Sequence, residues 1–352
     1  MLYTDEYLDD LIRAVGQTTG IEELNGRSVL ITGATGMLCS GVADALLIMN
    51  RRNLIHTELI LAGRNRESLC RRFSAFKEGT DYHFLQYDAA NAENLSFNAD
   101  YVIHGASNAH PAKIISEPVE TMLSNLNGLA ALLRAASVSG TRRLLYVSSS
   151  EVYGNIGEKR PMKENDYGYV DILNPRASYP SAKRAAETFC VSWMKEYGLE
   201  SVIVRPGHIY GPTVRREDSR ASAAFSWNAA DGEPIVMKSA GLQLRSYTYV
   251  ADCASALLTV LLKGCAGEAY NISNPDSIAS IREIADALAA AGSTELVFEN
   301  PSDAEKSSFN LMSNSALDSE KLCALGWKGL FSLEEGCNRT IQVLKARIRE
   351  GE

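Results

Sequence analysis

The strongest constraint in this chain is the run Ser28-Val-Leu-Ile-Thr32, which stops at Gly33-Ala-Thr-Gly36 and gives way to a helical pattern over 40–49. A short apolar run closed by glycine reads as a strand buried on both faces, as in a parallel sheet. The unit then repeats. Apolar runs recur at 59–62, at 83–87 (closed by Asp88), at 101–104, at 144–148 and at 201–205. Helical stretches separate them, notably 118–136 and 181–196. Strand–helix alternation of this kind predicts a doubly wound parallel sheet with helices on both faces.

The expected fold is therefore α/β, a Rossmann-type parallel sheet, whose ligands bind at the strand C-terminal ends near the point where strand order reverses. Residues 27–205 would form that dinucleotide-binding domain. Residues 1–26 read as a helical preface broken at Thr18, Thr19 and Gly20. Beyond Pro206 the pattern loosens, with glycine, proline and charge mixed through 211–245, then helical stretches at 251–262 and 280–291. Residues 206–352 thus read mainly as a smaller C-terminal substrate-binding lobe, with some segments returning to the sheet.

Composition narrows the function. The 352 residues carry a formal net charge of -8, which argues against general nucleic-acid binding. Seven cysteines are scattered with no C-x-x-C pair, which fits reduced thiols in a cytoplasmic protein and gives no metal site. The acidic start, MLYTDEYLDD, does not read as a secretory signal, and no run of about 18 apolar residues suggests a membrane span.

In the turn Thr32-Gly-Ala-Thr-Gly-Met-Leu-Cys39, Gly33 and Gly36 permit a tight bend and close approach to a pyrophosphate. Thr35, Met37 and Leu38 would lie against it at the helix N-terminus, where free N–H groups favour an anion. Cys39 stands where a third glycine is usual and reads as packing. The second strand ends in Gly63-Arg64 rather than in the acidic residue that binds a ribose 2′-hydroxyl, so NAD and NADP both stay open. Arg64 is either a 2′-phosphate contact or a solvated loop arginine. Asp88 is either an adenine partner, with Ala89 beside it, or a cap.

Tyr179-Pro-Ser-Ala-Lys183 puts two functional side chains on one helix face. An ammonium nearby favours the phenolate, so Lys183 is expected to lower the pKa of Tyr179 and make it a base for a substrate hydroxyl. Ser148-Ser-Ser-Glu-Val-Tyr-Gly154, directly after a strand, would aim Ser149 at the same hydroxyl.

These pieces, with IHGAS at 103–107, Asn125-Leu-Asn-Gly128, RPGHIYGP at 205–212 and RSYTYVAD at 245–252, resemble the extended short-chain dehydrogenase/reductase family, also called the NAD-dependent epimerase/dehydratase family. The likeness runs from Val29 to about Leu344. It implies Ser149, Tyr179 and Lys183 as the catalytic group, a bound nicotinamide cofactor held partly by Ala106, Ser107 and Asn125, and a nucleotide-diphosphate-sugar substrate. It also implies a homodimer built through two long helices, here roughly 113–138 and 177–197.

Within that family, ASNAHP at 106–111, SSSEVYG at 148–154 and Pro175-Arg-Ala-Ser-Tyr179 most resemble the UDP-glucuronate decarboxylases. That likeness makes Glu151 a further catalytic residue and Ser150 a substrate contact. In 4,6-dehydratases an aspartate occupies the Ser150 position, and a serine is a poor general acid. Arg220 and Arg245 match positions used around a substrate diphosphate, where guanidinium groups bind bidentately. The alternative for Arg220 is a surface ion pair. His208 replaces the asparagine of the decarboxylases, and an imidazole cannot copy the donor and acceptor pair of an amide. It is open to a ligand role or a structural one. His104 reads as structural or near the cofactor, while His110 and Lys113 lie on a loop within reach of substrate.

The expected reaction is decarboxylation of a UDP-uronic acid through a 4-keto intermediate. A 4-epimerase or 4,6-dehydratase is the near alternative, and a non-catalytic dinucleotide sensor or a net NADPH reductase is more distant. Related sequences in polysaccharide gene clusters connect the resemblance to cell-surface sugar synthesis.

Overall fold

The computed structural model describes residues 2–92, 95–107, 109–218, 220–301 and 314–351. Asn108 and Ser219, which fall in segments singled out above, lie outside that set.

Seven parallel strands form the central sheet in the order β10-β6-β5-β4-β1-β2-β3. They are β1 (Arg27–Thr32), β2 (Thr57–Gly63), β3 (His83–Gln86), β4 (Tyr101–His104), β5 (Arg143–Val147), β6 (Glu200–Pro206) and β10 (Ala269–Ile272). The six strands expected from the sequence are all present. Strand order reverses between β1 and β4, so a crevice opens beyond Thr32 and His104.

Side-chain alternation along β1 divides the interior. Val29 and Ile31 join the core under α2 (Met37–Arg51) and α8 (Val250–Lys263), while Leu30 joins Leu129, Leu132, Leu133 and Ala186 on the opposite face. That second face is covered by α5 (Pro118–Ser139) and α6 (Ser178–Tyr197), which pack on each other. The helical stretch read at 118–136 is present, while the family resemblance implied one longer helix over roughly 113–138. Two are present, α4 (Pro111–Ser116) and α5, parted at Glu117 with φ -131°. Pro118 explains the break, because proline disfavours helical geometry in the residue before it.

Beyond β6 the chain builds a second group of elements. β7 (His208–Tyr210), β11 (Ile278–Ser280) and β13 (Asn314–Ser315) pair with β9 (Leu244–Tyr249), and β12 (Leu296–Phe298) pairs with β8 (Ile235–Met237). α7 (Ala221–Asp231), α9 (Ile281–Gly292) and the C-terminal helix Leu333–Arg349 pack together beside them. No pattern in the sequence announced α7. It is rich in alanine, and its buried residues Ala223, Phe225, Ser226, Trp227, Ala229 and Ala230 make no single apolar stripe. α8 and β10 belong to the main sheet and its cover. No described helix is long and apolar enough to cross a membrane.

The N-terminal preface is fastened to the first helix after the Gly-rich turn. From α1 (Asp5–Val15) and the residues before it, Tyr7 and Tyr3 donate hydroxyls to the two oxygens of Asp44 at 2.9 and 2.8 Å. Arg72 completes the cluster with Nη2 at 2.5 Å from Asp44 Oδ2. Asp44 is fully buried, so every lone pair it exposes to the interior needs a donor. Asp44→Ala strands a buried guanidinium and two phenols. It is expected to lower unfolding free energy by about 3–5 kcal/mol in denaturant titration. A loss below about 1 kcal/mol would mean the cluster behaves as a surface pair.

Candidate active site

The turn after β1 is shaped by its glycines. Gly33 has φ +68°, and a Cβ there would lie 2.8 Å from Ala106 N and from Gly105 C, on the neighbouring strand's exit. Gly36 is the N-cap of α2, with no side chain capping the helix and no acidic residue in its first turn. The first-turn N–H groups from Met37 and Leu38 onward are thus left for an anion. Arg215 reaches over from the chain beyond β7 and donates from Nη2 to Thr35 O at 2.6 Å. Free N–H groups at a helix N-terminus, with a cation beside them, could take an anion such as a dinucleotide diphosphate. Cys39 is buried, its thiol is pushed up to about 12 by burial, and it leaves no room for a Cβ at Gly105.

The other positions singled out for a cofactor border the same crevice. Ala106 N donates to Thr32 Oγ1 at 3.3 Å, and Ser107 Oγ donates to Asn125 Oδ1 at 3.0 Å. Asn125 is itself fixed through Nδ2 to Thr121 O at 2.7 Å. α5 meets Ala89 so closely that a Cβ on Gly128 would lie 2.7 Å from it. Asp88 accepts from Ala90 N and Asn91 Nδ2 and caps a turn, while Arg64 is exposed at the end of β2. His104 is buried against Thr32, with Nδ1 2.7 Å from Oγ1. Burial, helped by the Lys183 charge, pushes its pKa down to about 3, so it is a neutral part of the core.

Ser149, Tyr179 and Lys183 come together where β5 ends against α6. Ser149 is the N-cap of a 3-10 turn, Ser150–Tyr153, and accepts from Glu151 N at 3.2 Å. Lys183 lies one helical turn after Tyr179. Its Nζ donates to Val147 O at 2.8 Å and stands 5.7 Å from the centre of the Tyr179 ring.

The structure corrects the expected electrostatics. Tyr179 is buried, and that burial holds its pKa above the usual tyrosine value, with the Glu151 charge raising it further. The opposing influences are the hydrogen bond from Ser149 and the charges of Arg220 and Arg176; Lys183 is not among them. Burial instead acts on Lys183, pushing it down to about 7 against the pull of Glu187. Desolvation penalises both charged forms more than the two groups help one another.

A buried network stands behind the pair. Glu187 accepts from Ser148 Oγ at 2.5 Å, Arg205 Nε at 3.0 Å and Arg205 Nη2 at 2.6 Å. Arg205 also donates to Tyr153 Oη and Glu164 O. On the solvent side, Arg176 grips Glu151 with two parallel bonds of 3.0 Å, and Ser150 is buried beside it. Arg184 secures the same turn through Val152 O at 2.6 Å and Tyr153 O at 3.2 Å.

Three of the five residues expected to meet substrate, His208, Arg220 and Arg245, lie near one another around β7 and β9. His208 is held neutral, its pKa pushed to about 3 by burial and by the charges of Arg245 and Arg220, and its Nδ1 is buried with no described partner. Arg245 is buried, and donates to Leu244 O. Arg220 forms an ion pair with Asp218, yet its charge is felt at both Tyr179 and His208. His110 acts on Asp218, and Lys113 pairs with Glu117 at 3.9 Å. The sequence reading missed Arg176, Arg184, Glu187, Arg205 and Arg215. Only the four-residue spacing of Lys183 and Glu187 was a local signal for any of them.

Lys183 sets a pH dependence. Its folded pKa, about 7, lies below the ordinary lysine value of 10.5, so between these pH values the unfolded chain binds the extra proton. Stability then rises with pH across that window, by at most about 1.4 kcal/mol per pH unit. Lys183→Met is expected to flatten this slope in cofactor-free protein and to stabilise it most below pH 7. Denaturant titrations near pH 6 and pH 9 check it, and an unchanged slope would contradict it.

The chain resembles known proteins over most of its length. UDP-glucuronic acid decarboxylase 1 of Xenopus tropicalis is 28% identical over 331 residues, covering 93% of this chain and 74% of that protein. A probable dTDP-glucose 4,6-dehydratase of Sinorhizobium fredii is 28% identical over 340 residues, covering 89% and 91%. Among solved structures, the Thermotoga maritima UDP-glucose 4-epimerase superposes with a TM-score of 0.76 at 23% identity, covering 91% of this chain and 99% of that one. Residues 29–273 match the NAD dependent epimerase/dehydratase family, and with the Rossmann-type sheet just described the chain belongs to that family.

Proposed function

We propose that this chain is a redox-neutral, NAD-dependent nucleotide-sugar enzyme that decarboxylates a UDP-uronic acid through a 4-keto intermediate. The observation that carries the reading is the turn Ser149-Ser150-Glu151 set against Tyr179. It supplies a hydroxyl to the phenol and a carboxylate gripped by Arg176, with a serine where elimination would want a carboxylic acid. The likeness to UDP-glucuronic acid decarboxylases over 93% of the chain supports the same reading.

Tyr179, bonded to Ser149, would take the proton of the C4 hydroxyl. Bound NAD would supply the hydride acceptor and donor for C4. The uronate is then a β-keto acid. Its C5–C6 bond breaks, carbon dioxide leaves, and the electron pair passes into the C4 carbonyl as an enolate. C5 takes up a proton, with Glu151 ordering water and protons there. Tyr179 gives its proton back to the C4 oxygen as the pentose forms.

Gly33, Thr35, Gly36, Met37 and Leu38 would hold the cofactor diphosphate. Asp88 and Ala89 would flank the adenine, and Ala106, Ser107, Asn125, Tyr179 and Lys183 the nicotinamide half. Lys183 has one described acceptor, Val147 O, which leaves its other two N–H groups for ribose hydroxyls. Exposed Arg64 keeps a 2′-phosphate, and hence NADP, within the proposal. Ser149, Ser150, His208, Arg220 and Arg245 would meet the sugar and its diphosphate. A neutral His208 offers one donor and one acceptor, and its open Nδ1 favours a sugar hydroxyl as partner.

Exposed Val119, Met122 and Leu123 on α5 and Val191 on α6 support pairing of two copies through these helices. Seven unpaired cysteines support a reducing, cytoplasmic setting.

Mass spectrometry of UDP-glucuronate incubated with the protein and catalytic NAD is expected to show loss of carbon dioxide and a UDP-pentose. Tyr179→Phe should lower turnover by about 10²–10⁴-fold. Unchanged mass with altered chromatographic mobility would indicate a 4-epimerase instead. Loss of water would indicate a dehydratase.

A further inference from the structure

We propose that Arg176 is a positioning residue: its guanidinium fixes the direction of the Glu151 carboxylate and offsets that carboxylate's charge at the Tyr179 phenol. The inference deepens the proposed function and rests on its assignment of Tyr179 as the base.

The geometry is specific. Arg176 lies three residues before Tyr179, in the 3-10 turn Pro175–Ala177 that leads into α6. Asn174 caps that turn, accepting from Arg176 N at 3.0 Å. Both bonds to Glu151 are 3.0 Å, a fork on a fork that locks the carboxylate plane. Eight residues on, Arg184 holds carbonyls of the same Glu151 turn. One helix and its lead-in therefore carry Tyr179, Lys183 and two clamps on the turn that faces them.

Charge gives the arrangement its consequence. The groups acting on Tyr179 are Glu151, Ser149, Arg220 and Arg176, with Lys183 on its own helix and Tyr146 across on β5. Glu151 is the negative one, and it works against forming a phenolate. Arg176 works the other way from the same position. An enzyme that keeps a carboxylate beside its phenolic base needs such a partner, or the carboxylate suppresses the base it serves.

The test is the pH profile of nicotinamide reduction in the NAD-loaded protein, with UDP-glucuronate as probe. This step precedes the choice between decarboxylation, epimerisation and dehydration. A different product, identified separately, would revise the proposed function and leave this result standing. Arg176→Gln is expected to move the half-maximal pH upward by about one unit, and so slow the reaction about tenfold at neutral pH. KM should change little. Arg176→Lys should restore most of the profile. Glu151→Gln with Arg176→Gln should bring the midpoint back toward that of the parent protein. An equal loss at every pH, no rescue by lysine, or a double variant whose midpoint stays as high as that of Arg176→Gln alone would each overturn the proposal.

Discussion

The site depends first on one buried carboxylate. Glu187 gathers Ser148 from the end of β5 and Arg205 from β6, and holds both against α6. Neither charge of the Glu187–Arg205 pair has useful access to water, so each satisfies the other with two bonds of good geometry. The order this imposes is local and three-dimensional. β5 and β6 are neighbours in the sheet, and α6 crosses between them in sequence. Pinning the helix to both strands fixes where Tyr179 and Lys183 stand relative to Ser149.

Around that fixed point the two regions of chain contribute different chemistry. The Gly-rich turn and the open end of α2 offer backbone N–H groups and a partial positive charge, suited to a diphosphate. The chain beyond β6 brings cations and a neutral imidazole, suited to a polar, charged ligand. Arg215 on Thr35 O and Thr213 Oγ1 on Met37 O join the two regions at the mouth of the crevice. Arg347, from the C-terminal helix, donates to Pro212 O and Val214 O and steadies that junction from behind. The proposed cofactor and substrate regions thus meet through hydrogen bonds to backbone carbonyls.

Much of this was legible in the sequence because it depends on spacing. Val29 to Gly36 announces a strand and a tight turn without any knowledge of partners. Tyr179 and Lys183 share a helix face by arithmetic. The rest depends on what meets across the fold. Arg176 and Glu151 are 25 residues apart, and Arg215 and Thr35 are 180 apart, so no local pattern pairs them. The electrostatic expectation for Tyr179 failed for a related reason. Proximity to Lys183 could be read from the sequence, but burial could not, and desolvation outweighs the neighbouring charge. α7 escaped because an alanine-rich helix buried on several sides carries no stripe.

In the proposed reaction hydride leaves the sugar and returns to it within one turnover, at a site where Tyr179 handles the proton. UDP-glucuronate carrying deuterium at C4, turned over with substoichiometric NAD, tests this most directly. The expected product is a UDP-pentose that keeps the deuterium at C4, with no net reduced cofactor. Deuterium released to solvent, or found in stoichiometric reduced cofactor, would contradict it.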